Sequence, residues 1–181
     1  MEFDVARRLF AVGLILQIVP PVGLVLALVG AYGLSRHYGR RGIFWNLLYA
    51  AMVPLVVILA FLLMDMGILG EGVIFFVLTH APLAWAFFMW RAYLNLSEAS
   101  NVDSFKPAAS LILVGALAIP AATWSLIGIL LLIEATPLAP IATYPADKAA
   151  TTSCLLGTAV MLIGHILAIT GAFRLKPPTQ L

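Results

Sequence analysis

Apolar residues run through this chain in five long stretches, Leu9–Leu34, Ile43–Leu69, Val73–Leu94, Ala108–Ile133 and Thr151–Phe173, separated by short segments that hold most of the charge. The hydrocarbon core of a bilayer is about 30 Å thick, so a spanning helix needs about 20 mostly apolar residues at about 1.5 Å each. Every stretch meets that length. None shows the in–out alternation of a barrel strand, and an open sheet edge in lipid would leave amides unpaired. The pattern predicts an all-α fold, a polytopic transmembrane helical bundle of about five hydrophobic segments, with the first broken at Pro20-Pro21. Composition agrees, at 63% hydrophobic and 10% charged residues with a mean hydropathy of +1.08. So much of the chain lies in these stretches that residues 1–181 form a single transmembrane domain, with no room for a soluble one.

The net charge of +2 changes little, but the placement of the charges orients the chain. Arg36, Arg40 and Arg41 crowd the first loop, Arg91 and Lys106 bracket the third, and Arg174 and Lys176 follow the last stretch. Loop 35–42, loop 95–107 and the C-terminus are therefore expected on the cytoplasmic side of a multi-pass cell-membrane protein. The second loop has Asp65 and Glu71 without a base, and the fourth, from Glu134 through Pro137, Pro140, Tyr144 and Pro145, has only Lys148. Both are expected to face outward. Trp45, Trp90, Tyr93 and Tyr144 lie near the boundaries, as interfacial anchors do.

The first stretch allows two topologies. As one kinked span it leaves the N-terminus outside, with seven basic side chains inside against three outside. If Phe3–Val19 instead lies in the interface or re-enters, Val22–Leu34 returns to the same side and the tally becomes nine against one. The double proline removes two amide donors and breaks the helix either way. Charge favours re-entry, while about 25 helical residues, about 37 Å, are enough to cross. The kinked span is the expectation adopted. Glu2 and Asp4, and the lack of a small-x-small site, argue against a cleaved secretory signal. Arg7-Arg8 reads as an end held at the cytosolic surface rather than as a twin-arginine export signal.

Small residues mark helix contacts. Gly157, Gly164 and Gly171 recur at seven-residue spacing with Ala168 beside them, so another backbone can approach that face closely. An intramolecular seam is the default reading of this helix-packing stripe. Ala27 with Ala31 and Gly30 with Gly33 offer a second, weaker surface. Pro54, Pro82 and Pro120 kink their helices, as is common in membranes, although a freed carbonyl there can also serve an ion or a hinge. The single Cys154 excludes an internal disulfide and a cysteine metal cluster, and reads as a packing residue.

Candidate chemistry is sparse. His80 and His165 are ionisable groups at membrane depth, about 12 Å and about 21 Å below the outer ends of their helices. Two imidazoles on different spans are the ligand set of a b-type haem, or stations on a proton path. Each can also stay neutral and bond a carbonyl or hydroxyl, which is the reading preferred. No cofactor is predicted, with haem b kept as the alternative. Met64-Asp65-Met66 places thioethers beside a carboxylate, a copper-like set with too few ligands, so no metal site is assigned. Asp65, Glu71 and Glu134 could together form an acidic vestibule for cations. No paired nucleophile and base is present, no catalytic residue is assigned, and nothing marks a nucleic-acid module.

The run Val22-Gly23-Leu24-Val25-Leu26-Ala27-Leu28-Val29-Gly30, leading through Leu34-Ser35 and Tyr38-Gly39 to Gly42-Ile43-Phe44 and Asn46, resembles a prokaryotic membrane family, domain of unknown function 996. Leu94-x-Leu96-Ser97 and Phe105-Lys106, followed by an apolar run with Gly115, look like its middle section. The resemblance implies an integral membrane protein without an established activity and transfers no site residue. The Pro-rich fourth loop and Pro177-Pro178 depart from the pattern. The expectation is a bundle that acts by packing among membrane lipids, as an accessory subunit of a membrane complex or a homo-oligomer, and not as an enzyme. A small-solute or ion transporter or channel is the first alternative. An electron carrier holding haem b through His80 and His165 is the second.

Overall fold

The computed structural model describes residues 1–18, 20–134 and 139–178, with side chains for 1–17, 22–127 and 148–178. Six α-helices and no strand are present among them: α1 Phe3–Ile15, α2 Pro20–His37, α3 Arg41–Asp65, α4 Glu71–Ser100, α5 Phe105–Glu134 and α6 Ala139–Phe173. Four stretches of α3 to α6, namely Arg41–Asp65, Glu71–Ser100, Phe105–Ile127 and Lys148–Phe173, are long and apolar enough to cross a membrane. At most 28% of the apolar window of any of them is buried inside the protein, so most of that greasy surface has lipid as its natural solvent. The chain is an integral membrane protein built as a helical bundle.

The first apolar stretch departs from the expected kinked span. It folds back on itself as a helical hairpin, α1 to α2, through a short 3-10 turn at Leu16–Ile18. Pro20 opens α2, where a missing amide hydrogen costs nothing because the first amides of a helix have no partner within it. Small residues then let the two helices touch along their length. A Cβ added at Gly13 would lie 2.6 Å from the Ala27 Cα, one at Gly30 would lie 2.6 Å from the Phe10 Cα, and one at Gly33 would lie 2.7 Å from the Ala6 Cβ. The Ala27/Ala31 and Gly30/Gly33 surface is thus spent on α1. With 13 residues α1 reaches about 20 Å, too short to cross the hydrocarbon core alone.

The hairpin brings Met1 back to His37, whose imidazole Nε2 lies 3.0 Å from the Met1 carbonyl oxygen. Arg7 and Arg8 therefore join the basic residues at the ends of α2, α4 and α6 and at the starts of α3 and α5. Nine of the ten Lys and Arg residues lie towards this end, leaving Lys148 apart in α6.

Around the basic half the helices close a ring, α1 on α2, α2 on α3, α3 on α4, α4 on α5, α5 on α6 and α6 on α1. The core sits here, in Phe10, Leu14, Leu34, Leu47, Tyr93 and Ile112 with their neighbours. Beyond the hairpin tip the long helices continue, and among the described residues α3 and α6 share no packed interface. Leu55, Ile58, Leu62, Phe76, Leu155 and Leu162 are all more than half exposed there. The loop between α4 and α5 is also shorter than expected. α4 runs on to Ser100, where Asn101 in the left-handed region (φ +53°) ends it.

Candidate functional site

The stripe on α6 faces α5. Gly157, Gly164, Ala168 and Gly171 are all buried. A Cβ at Gly157 would lie 2.6 Å from the Gly115 carbonyl oxygen, one at Gly164 would lie 2.9 Å from the Ala108 oxygen, and one at Gly171 would lie 2.6 Å from Ser104 Oγ. This seam lies within the chain.

His165 stands one residue past Gly164 and reaches the hairpin. Its Nε2 donates to the Leu14 carbonyl at 3.0 Å. Leu14 is one residue from the end of α1, where the last carbonyls of a helix lose their intrahelical donors. A helix that ends inside a bilayer needs a protein donor for those groups, and an imidazole from α6 supplies it. Two further bonds tie the hairpin down at the basic end. Arg7 donates to the Leu175 carbonyl at 3.2 Å while pairing with Asp4 at 3.0 Å, and the Tyr38 hydroxyl donates to the Lys176 carbonyl at 2.6 Å. Burial pushes the Tyr38 phenol up to about 12, against the pull of Arg7, so it stays a donor at physiological pH. Leu175 between these bonds is fully buried.

Replacing His165 by leucine removes the donor and is expected to destabilise the bundle by about 1 kcal/mol. His165→Gln, which still offers an N–H, should recover part of that loss. Thermal unfolding in detergent reads both, and equal melting of wild type and His165→Leu would contradict the capping role.

His80 occupies a separate setting on α4. Trp124 Nε1–H of α5 donates to His80 Nε2 at 3.3 Å, so that nitrogen is the acceptor and Nδ1 carries the hydrogen given to the Phe76 carbonyl at 2.9 Å. These bonds select the neutral Nδ1–H tautomer. Phe76 stacks on the ring with centroids 4.2 Å apart. Gly164, the neighbour of His165, packs at Ile112 of α5, whereas His80 bonds Trp124 of the same helix. Twelve residues of helix separate those levels by about 18 Å. The fold does not bring His80 and His165 together across one group.

Asp65 and Glu71 are exposed around the α3–α4 turn, with Met66 71% exposed and Met64 half-buried beside them. The Glu134 side chain, the third acid of the expected vestibule, lies outside the described residues, as does Pro137. Among the described residues no three His, Cys, Asp or Glu side chains gather as a metal-binding group. Cys154 is half-buried on α6. Pro54, Pro82 and Pro120 sit inside helices that continue through them.

Sequence reasoning did not single out Trp124 or Tyr38 as partners, nor Arg7 as more than a surface charge. One signal was available: an indole N–H or a phenol that enters a bundle usually finds an acceptor. No family model, no curated protein and no solved structure matches this chain. The resemblance carried by Val22–Gly30 and the residues after it therefore stands on those residues alone.

Proposed function

We propose that the protein works by packing, as an accessory subunit of a membrane assembly or as a homo-oligomer, with the basic end in the cytoplasm. The observation that carries this reading is the uneven distribution of the core. One half of the bundle is closed by six helices around a shared interior, and the other half consists of long helices with most of their apolar surface turned outward. Lipid gives no hydrophobic drive between helices, so association depends on close fit. A groove of about 290 Å³ between α5 and α6 in the open half has such a lining, with Ala118, Ala121, Ala122, Ser125, Ala149 and Ser153 among its residues. A neighbouring backbone can come close to side chains this small. Charge supports this sidedness, since nine bases gather at the end that holds the α2–α3 and α4–α5 loops and the C-terminus, and basic residues favour the cytoplasmic face.

Extraction from native membranes in lipid discs tests the role. The expected result is a particle larger than one chain, with copies or partners in fixed ratio. Ser125→Cys or Ser153→Cys, in a Cys154→Ser background, should then cross-link to that neighbour. A lone monomer that passes ions or solutes across liposomes would replace this function with transport.

A further inference from the structure

On the outer surface where α2 meets α3, a groove of about 480 Å³ is lined by Tyr32, Ser35, Arg36, Arg41, Phe44 and Trp45. Both arginines are exposed, and neither has a salt-bridge partner among the described residues, whereas Arg40 between them in sequence pairs with Glu98 at 3.7 Å. Two guanidiniums lining one groove repel each other and jointly attract an anion. The start of α3 at the same place has no side-chain cap, so the positive end of the helix adds to that field.

The groove also leads somewhere. Ring contacts pass from Tyr32 to Phe44 at 5.5 Å, to Trp45 at 5.6 Å, to Tyr49 at 6.1 Å and across to Phe88 of α4 at 5.4 Å. They end at an apolar trough of about 380 Å³ between α3 and α4, whose lining includes Tyr49, Met52, Val56, Phe76, Ala84 and Phe88. From Trp45 to Val56 is about 17 Å of helix, close to one leaflet of a hydrocarbon core about 30 Å thick. A charged mouth, an aromatic layer and an apolar trough of one-leaflet depth thus follow one another along one face.

We propose that this face binds an anionic phospholipid, its phosphate held between Arg36 and Arg41 and an acyl chain laid past Trp45 into the trough. Inorganic phosphate shares the headgroup chemistry, but it would use the mouth alone and leave the aromatic ladder and trough without a role. Basic pockets between membrane helices take lipid headgroups in this way. The assignment rests on membrane embedding and not on the packing role, so either can fail without the other.

The test is native mass spectrometry of the full chain in detergent, titrated with dioleoylphosphatidylglycerol, dioleoylphosphatidylcholine or inorganic phosphate. Phosphatidylglycerol should bind one per chain in preference to phosphatidylcholine. The double variant Arg36→Gln/Arg41→Gln should weaken it about tenfold. A control, Arg8→Gln/Arg174→Gln, removes two exposed charges from the same end and should bind as wild type. Ala84→Leu, which fills the trough and leaves both arginines in place, should weaken the lipid too. Equal loss in both arginine doubles would show a diffuse basic surface and overturn the site, as would equal binding of the two lipids. Undiminished phosphatidylglycerol binding by Ala84→Leu, with inorganic phosphate displacing the lipid at similar concentration, would assign the mouth to free phosphate instead.

Discussion

Gly30→Leu is expected to detach the hairpin from the rest of the bundle and to destabilise the fold by about 3 kcal/mol. The added side chain would start on the Phe10 backbone nitrogen and 2.6 Å from its Cα, so relief cannot come from a rotamer change and α1 itself must move. That movement is shared by every group α1 carries. The His165 bond to Leu14 and the Arg7 bond to Leu175 both bridge α1 to the C-terminal end of the chain, and both stretch when α1 shifts outward. Gly72→Ala is the control, because a Cβ there meets open space. Thermal unfolding in detergent should show a large drop for Gly30→Leu and almost none for Gly72→Ala. Equal melting of the two variants would mean that α1 and α2 are not in contact as described.

Labelling with a membrane-impermeant thiol reagent should give an all-or-none result. In a Cys154→Ser background, Glu2→Cys and Asp103→Cys should react from the same side of the membrane, and Glu71→Cys from the opposite side. All three side chains are exposed, so access is decided by topology and not by burial. The prediction follows from the return of Met1 to His37 and does not depend on which side is cytoplasmic. A single kinked span would put position 2 with position 71. Matching reactivity of those two positions would therefore restore the span and remove the hairpin.

The four crossing helices were legible because lipid imposes one simple demand, a long apolar run, and Ile43–Leu69 or Ala108–Ile133 meets it without help from the rest of the chain. The α5–α6 contact was legible for a related reason. Gly157, Gly164 and Gly171 at seven-residue spacing must line one helix face whatever lies opposite, although Gly115 as the facing residue could not be read. The hairpin was misjudged because its two arms together, Leu9 to Leu34, have the length of one span. Arg7 and Arg8 held the better clue, since re-entry gathers nine bases at one end, and Pro20 marked a helix start as readily as a kink. The histidine partners were hidden by distance along the chain. Leu14 is 151 residues from His165 and Trp124 is 44 from His80, and no local pattern encodes such pairs.

The order in which the chain is made gives the hairpin latch a consequence for biogenesis. Both arms are complete by residue 37, yet the imidazole that caps α1 is at position 165, and the carbonyls that receive Arg7 and Tyr38 belong to residues 175 and 176. At translation rates of about 5–20 residues per second, the arms wait roughly ten seconds for those partners. During that interval α1 ends in lipid without its cap, so a nascent chain stalled before residue 165 presents an uncapped helix end at membrane depth. The two arms thus precede their latch by the full length of the intervening chain, and the latch closes only once α6 and the residues after it have been inserted.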